Sequence, residues 1–489
     1  MLFRFGRQVF LAMSLGACMG KMEAQCAGDV STPRHTVDCA ASSAPRSLIA
    51  SLNPSHAYTL AELIDIAERN NPRTKVAWDR AKQAGEQLGI ERSAYYPILA
   101  GVATFADQRT INPFPKPLAP AGYTVNDTWL AEPEVTLQYL LFDSGKRKAS
   151  VDAATAETLV AGANFMEINQ SVAFQVASAY YALLTGKERL QATRETLKTA
   201  QTTQDAAELQ LRNGRSTLPD VLNARAETAQ AVFDEESASG DEQIARVRLR
   251  EAIGVDPSPD ITIDSQESAP LPQLLTQSID ELIDRALADR PDLLAQAAEI
   301  RATHFEIRAA TAEYGPRITF TGSAAQTALW PTASFGQLGS ASKPTWSAAF
   351  QIEWKIFDGG ARKHQLAAAE SKYREAQNEM TDKRDNAARE VWSAYIAFRT
   401  AIRKHQAAVA LLQSATTSYS ASLDAYRYGV RNLVDVLTAE KQLALARLSI
   451  VAARSELFLQ AVNLEFATGN LLRGRPSVSK PESSGGRTQ

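Results

Sequence analysis

The chain has 489 residues, a formal net charge of −3 and 45% hydrophobic residues. These values exclude the basic excess of a nucleic-acid-binding protein and the polar composition of a disordered one, while the length admits either several ordinary domains or one duplicated, elongated architecture. Beyond the extreme N-terminus no stretch approaches the roughly 18 apolar residues of a membrane-crossing helix, so any part embedded in a membrane has to be built from strands.

Arg4 and Arg7 precede an apolar run over residues 9–17 that is too short to span, and residues 1–17 therefore read as an export signal. Leu15-Gly16-Ala17-Cys18 is similar to a bacterial lipobox. That resemblance implies acylation of Cys18, and Met19 in place of Asp implies delivery to the outer membrane. The other reading is an ordinary signal cut near Ala24. Residues 18–57 form a Ser-, Ala- and Pro-rich segment expected to have little order, in which Cys26 and Cys39 can pair in an oxidising compartment or stay free.

From Tyr58 onward one half of the chain overlays the other. Leu60, Glu62, Leu63, Ala67, Pro72 and Pro97 match Ile279, Glu281, Leu282, Ala286, Pro291 and Pro316 at an offset of 219. After a variable loop, Phe142-Asp143, Gly145, Gly214, Asp220 and Gly254 match Phe357-Asp358, Gly360, Gly429, Asp435 and Gly469 at an offset of 215. The repeats span 58–255 and 277–470; a Pro-rich linker, 256–276, lies between them and a polar tail, 471–489, expected to be disordered, follows. Each repeat predicts a helical segment from Thr59 (or Ser278) to a stop at Pro97 (or Pro316), two strands with a polar loop, and then a long helical hairpin. No proline occurs between Gly145 and Leu218 or between Trp346 and Arg475. A helix over 146–212 is about 100 Å long, a length that is stable only when packed against other helices.

Residues 346–357 alternate with period 2: Trp346, Ala348, Phe350, Ile352, Trp354 and Ile356 on one face, mainly polar residues on the other. Residues 134–142 do the same. Such lengths match a tilted membrane strand, and Trp129, Trp330, Trp346 and Trp354 lie where interfacial girdles form. Four strands per chain cannot close a barrel, and open edges in lipid are forbidden. Three chains give twelve strands, with the long helices forming a second, coaxial cylinder.

The duplicated plan, the Tyr95-Tyr96-Pro97 strand entry, the Phe142-Asp143-Ser144-Gly145 and Phe357-Asp358-Gly359-Gly360 strand exits and the Arg212-Asn213-Gly214 and Arg427-Tyr428-Gly429 turns resemble the outer membrane efflux protein family over about residues 58–472. The resemblance implies a membrane α+β fold: a homotrimer with a twelve-stranded barrel in outer membrane lipid and a periplasmic α-helical coiled-coil barrel. It implies a periplasmic adaptor and an inner membrane transporter as partners, with neither nucleic acid nor a cofactor. Glycine permits the positive φ that ends each long helix, and Ser216 or Asn432 is expected to cap the helix that follows. By resemblance Gly214, Arg215, Gly429 and Val430 receive the adaptor at these tips, and Asp435 falls on a gate aspartate. A second gate aspartate of the family corresponds to Thr438. Asp220, Tyr426 and Arg431 match the positions that link the repeats in the closed state, and an Arg431–Asp220 pair assisted by the Tyr426 hydroxyl is expected.

No catalytic site is expected: His35, His56, His304, His364 and His405 lack metal spacing, and no phosphate loop or nucleophile elbow occurs. The functional expectation is a passive exit duct of a tripartite efflux pump for small molecules or drugs. A type I protein secretion channel on the same fold, and a purely structural periplasmic coiled coil, are the alternatives.

Overall fold

The computed structural model describes residues 56–116, 119–255, 261–264, 271–272, 277–333, 336–337 and 339–472. The export signal, Cys18, Cys26, Cys39, most of the linker and residues 473–489 lie outside them. The two described residues of the expected tail, Leu471 and Leu472, pack against a buried cluster made mainly of first-repeat side chains together with Phe458.

The elements run β1 (Ala57–Tyr58), α1 (Leu60–Asn70), α2 (Pro72–Ser93), β2 (Ile98–Pro113), β3 (Tyr123–Phe142), α3 (Lys146–Arg212), α4 (Leu218–Ile253), β4 (Thr262–Ile263), α5 (Ile279–Asp289), α6 (Pro291–Ala312), β5 (Arg317–Ala333), β6 (Gly336–Gln337), β7 (Ala341–Glu353), α7 (Ala361–Arg427) and α8 (Leu433–Ala467). Helices α3 and α7 have 67 residues each, about 100 Å at 1.5 Å per residue. Thr59 and Ser278 are the N-caps of α1 and α5, each in a capping box with a glutamate three residues on.

The single helical segment expected before each strand pair is two helices. Pro72 and Pro291 break it, each sitting at the first helical position of the second piece, because a proline supplies no N–H there and pushes the preceding residue into an extended conformation. The two joints are closed differently. Asn71 caps α2 and donates its side-chain amide to the Ala252 carbonyl at 2.9 Å. Arg290 instead forms a partly buried ion pair with Asp292 at 2.8 Å, a second with Glu390 at 2.6 Å, and donates to the Ala467 carbonyl at 3.3 Å. Gly254 and Gly469, which end α4 and α8 at positive φ, lie against these joints so closely that an added Cβ would fall 2.9 Å from the Asn71 Cα and 3.1 Å from the Arg290 Cα.

Strands β1 and β4 pair in parallel as a separate two-stranded sheet, and the four long strands form one antiparallel sheet in the order β2-β3-β5-β7, with β6 a short addition to β5. They have 16, 20, 17 and 13 residues, longer than the segments recognised by alternation. Strand β3 begins at Tyr123 rather than near residue 134 because β2 offers partners out to the Pro113–Tyr123 pair; Asn126, Asp127 and Pro133 conceal the alternation there. Strand β7 ends at Glu353 rather than at residue 357, since its last partner on β5 is Arg317, the first residue of that strand. Beyond it Trp354 donates its ring N–H to the Tyr314 carbonyl at 3.0 Å.

Below the sheet the helices pack side by side as α2-α3-α6-α7, and farther on as α4-α3-α8-α7. The core is a set of layers along the helices. The largest surrounds Leu63, Val176, Tyr180, Leu183, Leu249 and Ile253, with the Tyr180 hydroxyl donating to the Asp264 carbonyl at 2.9 Å; burial pushes Tyr180 up to about 12. Alanine dominates the buried face of α3, which lets neighbouring helices approach closely along its whole length.

Candidate functional site at the helical tips

Two turns reverse the long helices, α3 into α4 and α7 into α8. Both are closed by the same backbone motif. Gly214 (φ +64°) donates its N–H to the Leu211 carbonyl at 3.0 Å and Arg215 to the Gln210 carbonyl at 2.8 Å; Gly429 (φ +78°) and Val430 repeat this to Tyr426 and Ala425, both at 2.9 Å. These are Schellman closures, which satisfy helix-end carbonyls and require the left-handed conformation that glycine adopts without strain. The four helices meet in a small apolar layer: Ala206 and Ala207 of α3, Val221 and Ala224 of α4, Leu423 and Tyr426 of α7, and Leu433 and Val436 of α8.

The caps of the second helices differ. Thr217, not Ser216, is the N-cap of α4. Asp220 turns back onto it: its Oδ2 accepts from the Thr217 N–H at 3.0 Å, the Thr217 hydroxyl at 2.7 Å and the Ser216 hydroxyl at 3.1 Å. These donors, the Thr217 N–H foremost, hold the Asp220 carboxyl below the usual aspartate range. In α8 the cap is Asn432 as expected, its side-chain oxygen accepting from the Asp435 N–H at 2.9 Å. Among the described residues no hydrogen bond or ion pair engages the half-buried Asp435 carboxylate. Thr438 is exposed and donates its hydroxyl to the Val434 carbonyl at 2.8 Å.

The expected Arg431–Asp220 pair is not formed within the chain. Asp220 is committed to its own helix start, and Arg431 is exposed with no ion pair among the described residues. The polar link between the repeats runs elsewhere. The buried Tyr426 hydroxyl donates to the Ser216 hydroxyl at 3.4 Å, and through it reaches Asp220; Gln210 donates to the Arg427 carbonyl at 2.8 Å. Arg215 and Val430 are exposed at the turns, Val430 by 79%.

Two features went unread in the sequence. Tyr428 and Leu218 are also largely exposed, so each turn carries apolar surface that no neighbour in the chain covers. One layer deeper, the buried Glu440 accepts from the Thr203 hydroxyl at 2.6 Å, with the Tyr419 hydroxyl 3.1 Å from the same Thr203 oxygen. Burial pushes the Glu440 carboxyl up. Its place in the register was available: it falls at the apolar spacing of Val436, Ala439 and Leu443.

Comparison with known proteins agrees with this architecture. The chain is 27% identical to protein CyaE of Bordetella pertussis over 419 residues, 86% of this chain and 85% of that one. It is 27% identical to the outer membrane protein OprJ of Pseudomonas aeruginosa over 415 residues, 84% of each. Among solved structures, that of a membrane protein from Pseudomonas aeruginosa superposes with a TM-score of 0.71 at 26% identity, covering 84% of this chain and 93% of that one. The family model for outer membrane efflux proteins matches residues 63–255 and 282–470; the chain belongs to the outer membrane efflux protein family.

Proposed function

We propose that three copies of the chain close into one duct, through which an inner membrane transporter, joined by a periplasmic adaptor, drives small molecules out across the outer membrane. The observation that carries this reading is a pair of unfinished edges. Among the described residues strands β2 and β7 each have a partner on one side only, and Phe105, Leu99, Phe350, Ile352 and Trp346 on them are at least 70% exposed. No described helix is long and apolar enough to cross a membrane. An apolar sheet with open edges is tolerated in lipid only when closed on itself, and with four long strands per chain threefold closure yields a twelve-stranded wall around an open lumen.

At the other end of the molecule the paired turns form the entrance. Asp435, free of partners among the described residues, is the group best suited to a carboxylate ring around the threefold axis, where like charges attract cations. Thr438 in the second gate position leaves that ring a single layer. The Tyr426–Ser216–Asp220 link and the apolar layer around Tyr426 hold the two hairpins together, and opening separates them. Gly214, Arg215, Gly429 and Val430, with the exposed Leu218 and Tyr428 beside them, offer the adaptor its contact. Acylation of Cys18 anchors the chain to the membrane, which mass spectrometry of the mature N-terminus checks.

Deleting the gene and screening compound susceptibility tests the efflux reading, alongside conductance of the purified protein in planar bilayers. Increased susceptibility restored by the intact gene, and discrete channels from the protein, are expected. Unchanged susceptibility to every compound class and no channel activity would contradict it.

A further inference from the structure

Two apolar layers hold the hairpins together near the tip, and the boundary between them is polar. The first layer is the one around Tyr426 and Val436. The second, farther from the turns, holds Ala415, Leu443 and Ala446 with Leu412 beside them, and Tyr419 packs against both. At the boundary Glu440 enters from α8, only 6% exposed, and meets Thr203 of α3, 1% exposed, and through it Tyr419 of α7. Three helices from both hairpins therefore meet at one carboxyl group.

Helix packing alone does not call for a carboxyl there. Subtracting the repeat offset of 215 takes Glu440 to Arg225, which is exposed on α4 and pairs with Glu208 at 2.9 Å. The first repeat builds the same hairpin with the corresponding side chain on its surface. Nor does Glu440 have a cation of its own among the described residues. The charged groups that act on it are engaged elsewhere: Lys441 pairs with Glu227 of α4 at 2.8 Å, and Arg447 pairs with Glu195 of α3 at 3.7 Å and donates to the Thr199 hydroxyl at 3.0 Å. On α7 the facing groups are Tyr419, its phenol pushed up by burial, and beyond it Arg427, which pairs with Asp424 at 3.5 Å.

We infer that Glu440 is a proton-operated latch between the two hairpins: with its proton it holds α3, α7 and α8 together, and without it they separate more readily, so that acid on the periplasmic side keeps the duct shut. The inference rests on the reading of the tip as the entrance of the duct.

Counting hydrogens gives the reason. The Thr203 hydroxyl has one hydrogen and two acceptors in reach, the Glu440 carboxylate at 2.6 Å and the Thr199 carbonyl at 3.2 Å. When Glu440 is ionised that hydrogen goes to the carboxylate, and it is the one hydrogen bond that the described residues give this buried charge. When Glu440 is protonated, the carboxyl donates to the Thr203 oxygen and Thr203 turns its hydrogen to the Thr199 carbonyl. Tyr419 then donates to the same Thr203 oxygen from 3.1 Å, so every hydrogen has an acceptor and no charge is buried.

Burial pushes the Glu440 carboxyl up against the opposing pull of the Thr203 hydrogen bond, and the nearby Glu227 adds to the rise. Once α8 leaves α3 the carboxyl is hydrated and returns to its ordinary value. The closed tip therefore binds the proton more tightly than the open one. Its advantage is complete below the ordinary glutamate value and is lost as pH rises through the raised one, by up to about tenfold in the closed-to-open ratio per pH unit for each chain. Asp220 titrates lower and with the opposite sign, which separates the two groups.

The test uses the full-length protein carrying Asp435→Asn, so that titration of that carboxylate does not reach the current. Open probability in planar bilayers, and hydrogen exchange at the end of α3 and the start of α8 corrected for the intrinsic effect of pH, are followed from about pH 8 down to about pH 5. Both are expected to fall by about tenfold or more. Glu440→Gln, which keeps the shape and cannot ionise, is expected to stay at the low level throughout. Thr203→Val removes the donor that favours the ionised form and is expected to move the midpoint to higher pH without flattening the response. Current and exchange that ignore pH in the parent chain, or that respond equally in Glu440→Gln, overturn the latch. Exchange that follows pH as expected, in a protein that carries no current at any pH, supports the hold of Glu440 on the tip and overturns the duct reading beneath it.

Discussion

The turn at Gly214 and the turn at Gly429 end their helices by the same hydrogen bonds, yet they begin the next helix by different chemistry. At the first, a carboxylate is the cap partner: Asp220 binds back to Thr217 and Ser216 and is used up. At the second, the neutral amide of Asn432 does the capping and Asp435 keeps its charge unengaged. One step in the register therefore carries an aspartate in both repeats with two unlike outcomes. The residue three or four positions upstream decides which aspartate is structural and which is available to the lumen.

The contrast can be broken or sharpened by substitution. The largest effect is expected where the turns share their core. Tyr426→Ala removes a buried aromatic ring and should weaken the tip by about 3 kcal/mol, seen as a loss of hydrogen-exchange protection in the helix ends of both hairpins. Tyr426→Phe, which loses only the long contact to Ser216, should cost less than about 1 kcal/mol. Next come the glycines. A Cβ at Gly214 or Gly429 meets nothing within 4 Å, so Gly→Ala should cost only the left-handed strain, about 1–2 kcal/mol at each turn. Unequal costs by the same exchange measurement would show that the closures are not equivalent.

The caps separate the turns. Thr217→Ala and Asn432→Ala should each cost about 1 kcal/mol, but only the first turn should respond to acid. Because the folded-state pKa of Asp220 is lowered, its contribution is present above the ordinary aspartate value and is lost as pH falls through the depressed one. Exchange at the start of α4 should therefore quicken in that window, with no matching change from the Asn432 cap, whose amide takes up no proton. The smallest effect concerns cation block of the channel. Asp435→Asn should relieve it by no more than about fivefold, the scale of one exposed charge interaction, while Asp220→Asn should leave it unchanged; current recordings with added multivalent cations read both.

Helix ends and reversals could be read in advance because they rest on local chemistry. Gly145 and Gly214 bracket α3, and the absence of proline between them leaves nothing to interrupt it. Alternation located the centres of β3 and β7 but not their ends, since pairing with β2 and β5 decides those, and residues such as Asn126 and Pro133 lie in β3 without marking it. The two prolines, Pro72 and Pro291, are visible in the sequence as repeat markers, but apolar periodicity continues across them, so the helix break at each shows only in the fold. The tip was legible as a pair of turns with aspartates. Its partnerships were not: Asp220 has an arginine at a plausible spacing and chooses hydroxyls and an N–H on its own helix start, a competition between local groups that residue spacing leaves undecided. Glu440 illustrates the same limit, for its burial depends on α3 packing against α8, more than 200 residues away in the chain.

The central claim is that the open edges of separate chains complete one wall in lipid. Counting subunits in the detergent-solubilised particle by native mass spectrometry, on the same preparation that is recorded in planar bilayers, tests it most directly. Three copies per particle together with ion conductance are predicted. A particle of one chain that stays in solution without detergent and carries no current would contradict it.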